Sequence, residues 1–460
     1  MKTKVAGDVD AKKILVYFII TLIAFSVVLI PAFIYPQYLG IISTLNITIM
    51  IILTIQFYLY TFFGLQNQPR YPENMDWPMV SIIIPSFNEE NVLPRSIDAM
   101  LAIDYPKDRI EFVYVYEKKG TDKTKNILAE RSKNEIRIRP IMRNESTGGK
   151  AAATNFGIKQ SQGSIVACYD ADHSLVHDSV KNAVRTLMAD TKVMCVKGRY
   201  RTINKDEGIL AKVSGIERDI ADTLIWYGHD VIRGFTCMGG NAFFKRDIFD
   251  ELGYFHESTL TEDVDYSLKI HKAGYELRIN PDIVSWEESP ASLSQWWHQR
   301  KRWARGWIQS SLMHINHILT SSNVSAIKKI DTFFLLLLTI IQPLMFLFSL
   351  SSLVSMFGLT VSNYYPSWVL PTIGGLLSFS IIIAAIIVWI RDYRKGERFR
   401  WDEIIYLPAV AIYMSLLAIV AWIGFIEEFI LKSKNEFIKT DRSGIVTTSI
   451  KSSLDEPLSS

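Results

Sequence analysis

Apolar and polar residues are segregated along this chain into long blocks. Ile14 to Gly64, Phe333 to Ile390 and Ile404 to Ile426 contain no charged residue at all; they run 51, 58 and 23 residues. Uncharged runs of that length can cross a bilayer. They divide into five predicted apolar helices, Ile14–Tyr35, Leu39–Gly64, Phe333–Phe357, Trp368–Ile390 and Ile404–Ile426. Pro36-Gln37-Tyr38, between the first two, leaves room only for a tight hairpin. The first run is too long for the core of a signal peptide and has no small-residue cleavage site, so it reads as a retained helix.

The stretch between the blocks carries a different pattern. Val80-Ser-Ile-Ile-Ile84 is a β-branched run stopped by Pro85, which suits a buried parallel strand. Asn91–Leu101 has helical spacing, Glu111–Tyr116 reads as a strand and Asp122–Ser132 as a helix. Ile136–Ile141 is a further strand, Lys150–Gln160 an alanine-rich helix opened by Gly148-Gly149, and Ser164–Tyr169 a fourth strand. Such alternation predicts an α/β, Rossmann-like doubly wound sheet of parallel strands, inserted between transmembrane α-helices. The expected plan is a transmembrane hairpin over 1–65, a sheet domain over 66–307, an interfacial helix or linker over 308–332, transmembrane helices over 333–430 and a tail over 431–460. The tail is Ser-rich from Thr447 and is expected to be partly disordered.

Charge adds an orientation. Fifty Lys and Arg against 47 Asp and Glu leave +3, too even a balance to suggest a nucleic-acid partner. A hydrophobic content of 49% excludes disorder as a class. Lys2, Lys4, Lys12 and Lys13 precede the first apolar run and place the N-terminus in the cytoplasm. Two crossings then return the chain, so the expected molecule is a multi-pass cell-membrane protein with a cytoplasmic sheet domain. The loop Arg391–Glu403 carries five basic residues and suits the inside. The tail conflicts: Lys432, Lys434, Lys439 and Arg442 also suit the inside, whereas five crossings put them outside. One apolar segment is then re-entrant or lies along the interface; Phe333–Phe357, interrupted by Pro343, is one candidate, and both four and five spans stay open. Cys168, Cys195 and Cys237 form no C-x-x-C pair and read as buried thiols.

Ligands of a parallel α/β sheet bind at the carboxyl ends of its strands, so candidate chemistry is sought there. After the first strand, Asn88, Glu89 and Glu90 offer acceptors, though the same residues would cap a helix. After the fourth, Asp170-Ala171-Asp172 turns two carboxylates to one face of extended chain. That pair suits one hard divalent cation, and otherwise makes a solvated turn. Lys150, at the start of a helix behind Gly149, adds a point charge where backbone amides face an anion; the P-loop spacing is absent, and an ordinary glycine turn fits as well. Thr261-Glu262-Asp263 opens an amphipathic run, where Asp263 is either a helix cap or a carboxylate general base. Gln299, Arg302 and Trp303 share one helix face. Arg302 suits a pyrophosphate and Trp303 a sugar ring. With Trp296, Trp297, Arg305 and Trp307 nearby, the stretch equally suits an interfacial helix anchored to anionic lipid.

Taken together, Asp170-x-Asp172, Thr261-Glu-Asp263 and Gln299-x-x-Arg302-Trp303 resemble the motifs of the membrane family 2 glycosyltransferases, which include cellulose, hyaluronan and poly-N-acetylglucosamine synthases. The resemblance covers roughly Pro78 to Trp307 and the flanking helices. It implies a GT-A fold and inverting transfer from a nucleotide-sugar, UDP being the usual nucleotide, to a growing polysaccharide. Single addition to a lipid, giving a glycolipid or lipid-linked sugar, is the alternative, and a non-catalytic nucleotide-sugar sensor is an alternative of another class. By the same resemblance Asp170 and Asp172 hold a divalent cation, Mg2+ or Mn2+. Asp263 is the catalytic base, and Gln299, Arg302 and Trp303 line the acceptor and pyrophosphate side. Glu89, Glu117, Lys150 and Asp170 contact the donor. The partners implied are the nucleotide-sugar, a glycan or lipid acceptor and the bilayer. One stretch departs from the family: Glu117-Lys118-Lys119-Gly120 stands where an acidic pair that contacts the base is usual, so Lys118 removes one of the two acids.

Overall fold

The computed structural model describes residues 11–69, 71–72, 75–145, 147–355, 364–435 and 442–446. The Ser-rich segment from Thr447 lies outside them. Helices α1 (Ala11–Ile34) and α2 (Pro36–Gly64) form the N-terminal hairpin. Its turn is tighter than the three-residue linker expected. Only Tyr35 interrupts the helices, and Pro36 opens α2 where its missing N–H costs nothing.

The sheet domain follows as β1 (Val80–Pro85), α3 (Leu93–Leu101), β2 (Ile110–Glu117), α4 (Thr124–Asn134), β3 (Ile138–Arg143), α5 (Gly149–Gln160), β4 (Ile165–Cys168), β5 (Ser174–Leu175) and α6 (Ser179–Met188). It continues through β6 (Val193–Thr202), α7 (Ile209–Ile220), a π-helical turn (Ala221–Ile225), α8 (Trp226–Val231), β7 (Ala242–Lys245), α9 (Asp247–Leu252), α10 (Glu262–Lys272) and β8 (Glu276–Glu287). Then come α11 (Leu293–Thr320), α12 (Ala326–Ser355), α13 (Val369–Arg394) and α14 (Leu407–Phe425). Among the described residues four stretches are long and apolar enough to cross a membrane: Lys12–Pro31, Gly40–Gly64, Val369–Arg394 and Trp401–Ile430. The boundary expected at Trp307 falls inside the single helix α11.

The eight strands lie in the order β3-β2-β1-β4-β7-β6-β8-β5. The first four are mutually parallel, as their alternation with helices predicts. The sheet as a whole is mixed, however: β7 runs antiparallel between β4 and β6, and β5 runs antiparallel to β8. Side chains of β1 alternate between two cores. Ile82 and Ile84 bury against α3 and α6, while Ile83 buries with α5 on the opposite face. Helix α5 comes so close that a Cβ at Gly157 would stand 2.5 Å from Ile83 Cγ2, so glycine is what permits the approach.

The apolar helices are fastened to this domain. A Cβ at Gly228 of α8 would lie 2.1 Å from the carbonyl oxygen of Tyr60 in α2, so the two helices touch backbone to backbone. The Tyr60 hydroxyl and His229 both bond the buried Asp331 carboxylate of α12, His229 at 2.7 Å. The loop between α13 and α14 is held by ions. Asp392 accepts from Arg199 of β6 (2.7 and 2.9 Å) and from Arg400 (2.6 Å), and Arg400 also reaches Asp219 of α7 (2.6 Å).

Candidate active site

One cavity of about 1290 Å³ opens where β1, β2, β3 and β4 end. The same edge receives the ends of β6 and β8 and the residues leading into β7, because those strands are oriented to deliver them there. Glu89, Glu117, Lys150, Asp170, Asp172, Asp263, Gln299, Arg302 and Trp303 all line this cavity. Asn88 and Glu90, offered beside Glu89, do not line it; Asn88 accepts the Thr121 N–H at 2.9 Å and the Glu90 N–H donates to Asp122 at 2.9 Å.

Lys150 stands in the first turn of α5, behind Gly148 and Gly149, both at positive φ (81° and 60°). Its Nζ lies 2.6 Å from Asp170 Oδ1 and 4.0 Å from Glu262 Oε1. Burial by itself would favour the neutral amine. Asp170 and then Glu262 outweigh it, and the Lys150 pKa is raised. The Asp170 carboxyl is likewise pushed up by burial but pulled further down by Lys150, and ends well below the usual range. Asp172, buried behind it, accepts from the Glu288 backbone N–H at 3.0 Å, and its Oδ1 lies 3.4 Å from Arg442.

Asp170, Asp172 and His173 place one ligand atom each within 4.8 Å of one another. His173 Nδ1 is engaged by Ser285 Oγ at 2.8 Å, while its buried Nε2 has no hydrogen bond and stands 3.4 Å from Glu287. Two carboxylates and an imidazole make a donor set of the kind that fits a divalent cation, once the ring nitrogen that faces the site is the unprotonated one. His173 was missed in the sequence, although it directly follows the Asp-x-Asp pair. An imidazole there is indistinguishable from a core residue until it is seen beside both carboxylates.

Asp263 sits in the first turn of α10, whose N-terminus Thr261 flanks. Its Oδ1 accepts the Val264 N–H at 2.9 Å, and Ser267 holds its carbonyl at 2.7 Å. Burial and then the adjacent Glu262 carboxylate push its pKa up to about 6, against the opposing pull of Lys150 and Arg302. Helix α11 presses on this turn: a Cβ on Gly306 would be 2.4 Å from the Thr261 side chain. Arg302 donates to the Leu260 carbonyl at 2.8 Å and so braces the backbone just ahead of Thr261-Glu262-Asp263. His314, further along α11, bonds Asp265 at 2.8 Å. Trp303 presents its ring to the cavity with the Arg300 guanidinium over it, 4.5 Å from the ring centre. Glu117 is paired with Arg143 at 3.1 Å and Lys119 at 3.4 Å, so its charge is neutralised locally.

The chain beyond α14 also reaches the site. Arg442 faces Asp172 and donates to the Glu288 carbonyl at 2.6 Å, while the Ser443 and Gly444 N–H groups grip the Glu288 carboxylate at 2.9 and 3.0 Å. Nothing in the local pattern marks this segment, whose sequence signal is charge alone.

Residues 165–423 match the model of glycosyl transferase family group 2. The chain belongs to that family. It is 33% identical over 245 residues to the probable glycosyltransferase YdaM of Bacillus subtilis strain 168, a match covering 52% of this chain and 58% of that protein. It is 27% identical over 327 residues to the beta-monoglucosyldiacylglycerol synthase of Nostoc sp. PCC 7120, covering 70% and 67% of the two chains. To the poly-beta-1,6-N-acetyl-D-glucosamine synthase of Staphylococcus epidermidis it is 28% identical over 229 residues, covering 49% and 54%. The chain thus spans between about half and two thirds of these relatives' lengths. Its fold is GT-A-like. It superposes on the mannosyltransferase PcManGT of Pyrobaculum calidifontis, solved with GDP-Man and Mn2+, with a TM-score of 0.55 at 19% identity, over 86% of this chain and 99% of that one.

Proposed function

We propose that this glycosyltransferase is membrane-bound and inverting, moving a sugar from a nucleotide-sugar donor to a growing polysaccharide at the cytoplasmic face. The observation that carries the reading is the convergence in one cavity of a carboxylate poised near pH 6, Asp263, with the cationic Lys150 and the Asp170, Asp172 and His173 cluster. Lys150 faces the side where donor phosphates lie and balances their charge. Asp170, Asp172 and His173 would hold a divalent cation, which when bound draws off the charge developing on the leaving diphosphate. Asp263 accepts the proton of the attacking acceptor hydroxyl as the anomeric centre inverts. Gln299, Arg302 and Trp303 line the acceptor side, Trp303 offering an aromatic face to a sugar ring. The nucleotide expected is UDP. Because Glu117 is already paired, its carboxylate is a weak discriminator between bases, and the donor screen includes UDP-, GDP- and dTDP-sugars.

A second reading is favoured by one comparison: the Nostoc glycolipid synthase matches more of this chain than the polysaccharide synthase does. On that reading one sugar is added to a lipid. Incubation of the full chain in lipid with labelled donors and Mn2+ or Mg2+, followed by sizing of the product, separates the two. A ladder of long chains supports polymer synthesis and a single lipid-linked sugar supports the glycolipid. Donor binding with neither product nor hydrolysis would overturn both in favour of a sensor.

The cation assignment has its own test. Asp172→Asn keeps the acceptor for the Glu288 N–H but removes a charge, and is expected to weaken metal-assisted donor binding by at least ~10-fold in calorimetric titration. An unchanged metal titration would remove Asp172 from the cation site.

A further inference from the structure

The ends of the apolar helices can be placed relative to the sheet domain by what they touch. α2 finishes against it, Gly64 lying over the Leu224 backbone of the π-helical turn. α13 begins at the far end of α2, where the Tyr364 N–H bonds Thr44 and the Tyr365 hydroxyl bonds Thr48. It finishes at the near end, with Arg391 on the Gly64 carbonyl and Asp392 in the ion network. α13 therefore travels from the far side to the domain side. α12 starts on the domain side, where Lys328 pairs with Glu276, and continues as one helix through Pro343. Phe333–Phe357 is one candidate for a re-entrant or interfacial segment because of Pro343, and the helix runs on through that proline.

α14 behaves differently. It is apolar and long enough to span, at roughly 28 Å for its length. Yet polar groups of the domain hold it at three points. At its start, Lys212 of α7 lies over the Tyr406 ring, 4.5 Å from the centre. At its middle, the Tyr413 hydroxyl meets Trp296 Nε1 at 3.1 Å and Glu217 at 3.2 Å. Just past its end, Glu427 pairs with Lys301 at 2.7 Å and Glu428 with Arg305 at 3.1 Å. The second and third contacts advance in the same direction along α11 and α14, so this part of α14 lies beside a helix carrying Arg300, Lys301, Arg302 and Arg305, a sequence that does not sit in hydrocarbon. Glu427 also meets Tyr17, close to the start of α1.

We propose that α14 does not cross the bilayer but lies along its surface on the side of the sheet domain, facing lipid with the exposed side chains Ile405, Ile412 and Met414. Its two ends abut helices that enter the membrane, α13 and α1, and this continuity identifies the partner of that face as the acyl–headgroup boundary. Of the four stretches apolar enough to span, Trp401–Ile430 is then replaced as a crossing by α12, and the described residues cross four times, through α1, α2, α12 and α13. The even count returns residues 432–435 and 442–446 to the cavity side, where Arg442 and Ser443 are found, and it removes the conflict between five apolar runs and a basic tail.

Two measurements on the full chain test this. In uniformly oriented sealed vesicles of phosphatidylcholine and phosphatidylglycerol, trypsin should cut the loop at Lys395 or Arg398 and the tail at Lys432 or Lys434 from one and the same side. Cleavage from opposite sides overturns the proposal. Nitroxides at Ile405→Cys, Ile412→Cys and Phe429→Cys, each in a Cys168→Ser background, should report a common shallow depth from oxygen and nickel-chelate accessibility. Depths graded through the bilayer centre by about 1.5 Å per residue would overturn it equally. The trypsin experiment needs no substitution, so a misfolded variant cannot decide the outcome.

Discussion

Asp263→Asn is expected to lower the transfer rate by ~100- to 10,000-fold while leaving donor affinity within a few-fold of the parent. The substitution is nearly isosteric, and an amide oxygen can still accept the Val264 N–H that orients the side chain. What is lost is the capacity to take a proton. The same assignment fixes the sign of a pH effect. Burial and Glu262 raise the Asp263 pKa to about 6. Below that value the carboxyl is protonated and cannot act as base; above it the base is available. The kcat/KM of the parent should therefore climb with pH through about 6 and then level, and the residual rate of the variant should lack that limb. Turnover near the parental level in purified Asp263→Asn protein would remove Asp263 as the base.

Asp392→Ala is expected to destabilise the protein by ~3–5 kcal/mol, read from chemical unfolding in mild detergent. Asp392 is fully buried and is shared by Arg199 and Arg400, with Arg201 at 3.5 Å. Removing it strands guanidinium groups that have little water to turn to, and Asp219 and Glu397 are left as two acids against Arg199, Arg201 and Arg400. Asp392→Asn, which still accepts hydrogen bonds, should fall between parent and alanine. A loss below ~1 kcal/mol would mean that the loop between α13 and α14 is held by its apolar contacts instead, through Trp389 and Phe399.

The parallel half of the sheet was legible because β1, β2 and β4 are β-branched or apolar runs with clear breaks after them. β6 was not legible. All ten of its residues are buried, although Lys197, Arg199 and Arg201 lie among them. A strand with three cations carries the signature of solvent exposure. Here their partners, Asp222, Asp219, Asp392 and Glu397, arrive from distant segments and bury the charges as pairs. β7 is four residues long, too short for a period to register, so the antiparallel insertion that makes the sheet mixed left no trace in the pattern. The cavity residues were found because three short motifs occur in order. Arg442 and Glu288 were not, because each acquires meaning only through the other across 154 positions of chain. The parity of the membrane plan was visible as a contradiction, and three polar anchors along α14 point to its source.

Glu288 has a practical bearing on how this molecule is handled. Its carboxylate is satisfied by Arg95 on one side and by the Ser443 and Gly444 amides on the other. A shortened form ending at Ile430 would strip away that second clamp and uncover Asp172, altering the electrostatic floor of the cavity without touching any motif. Affinities measured on such a trimmed form would describe a different vessel, and purification handles are better attached ahead of α1.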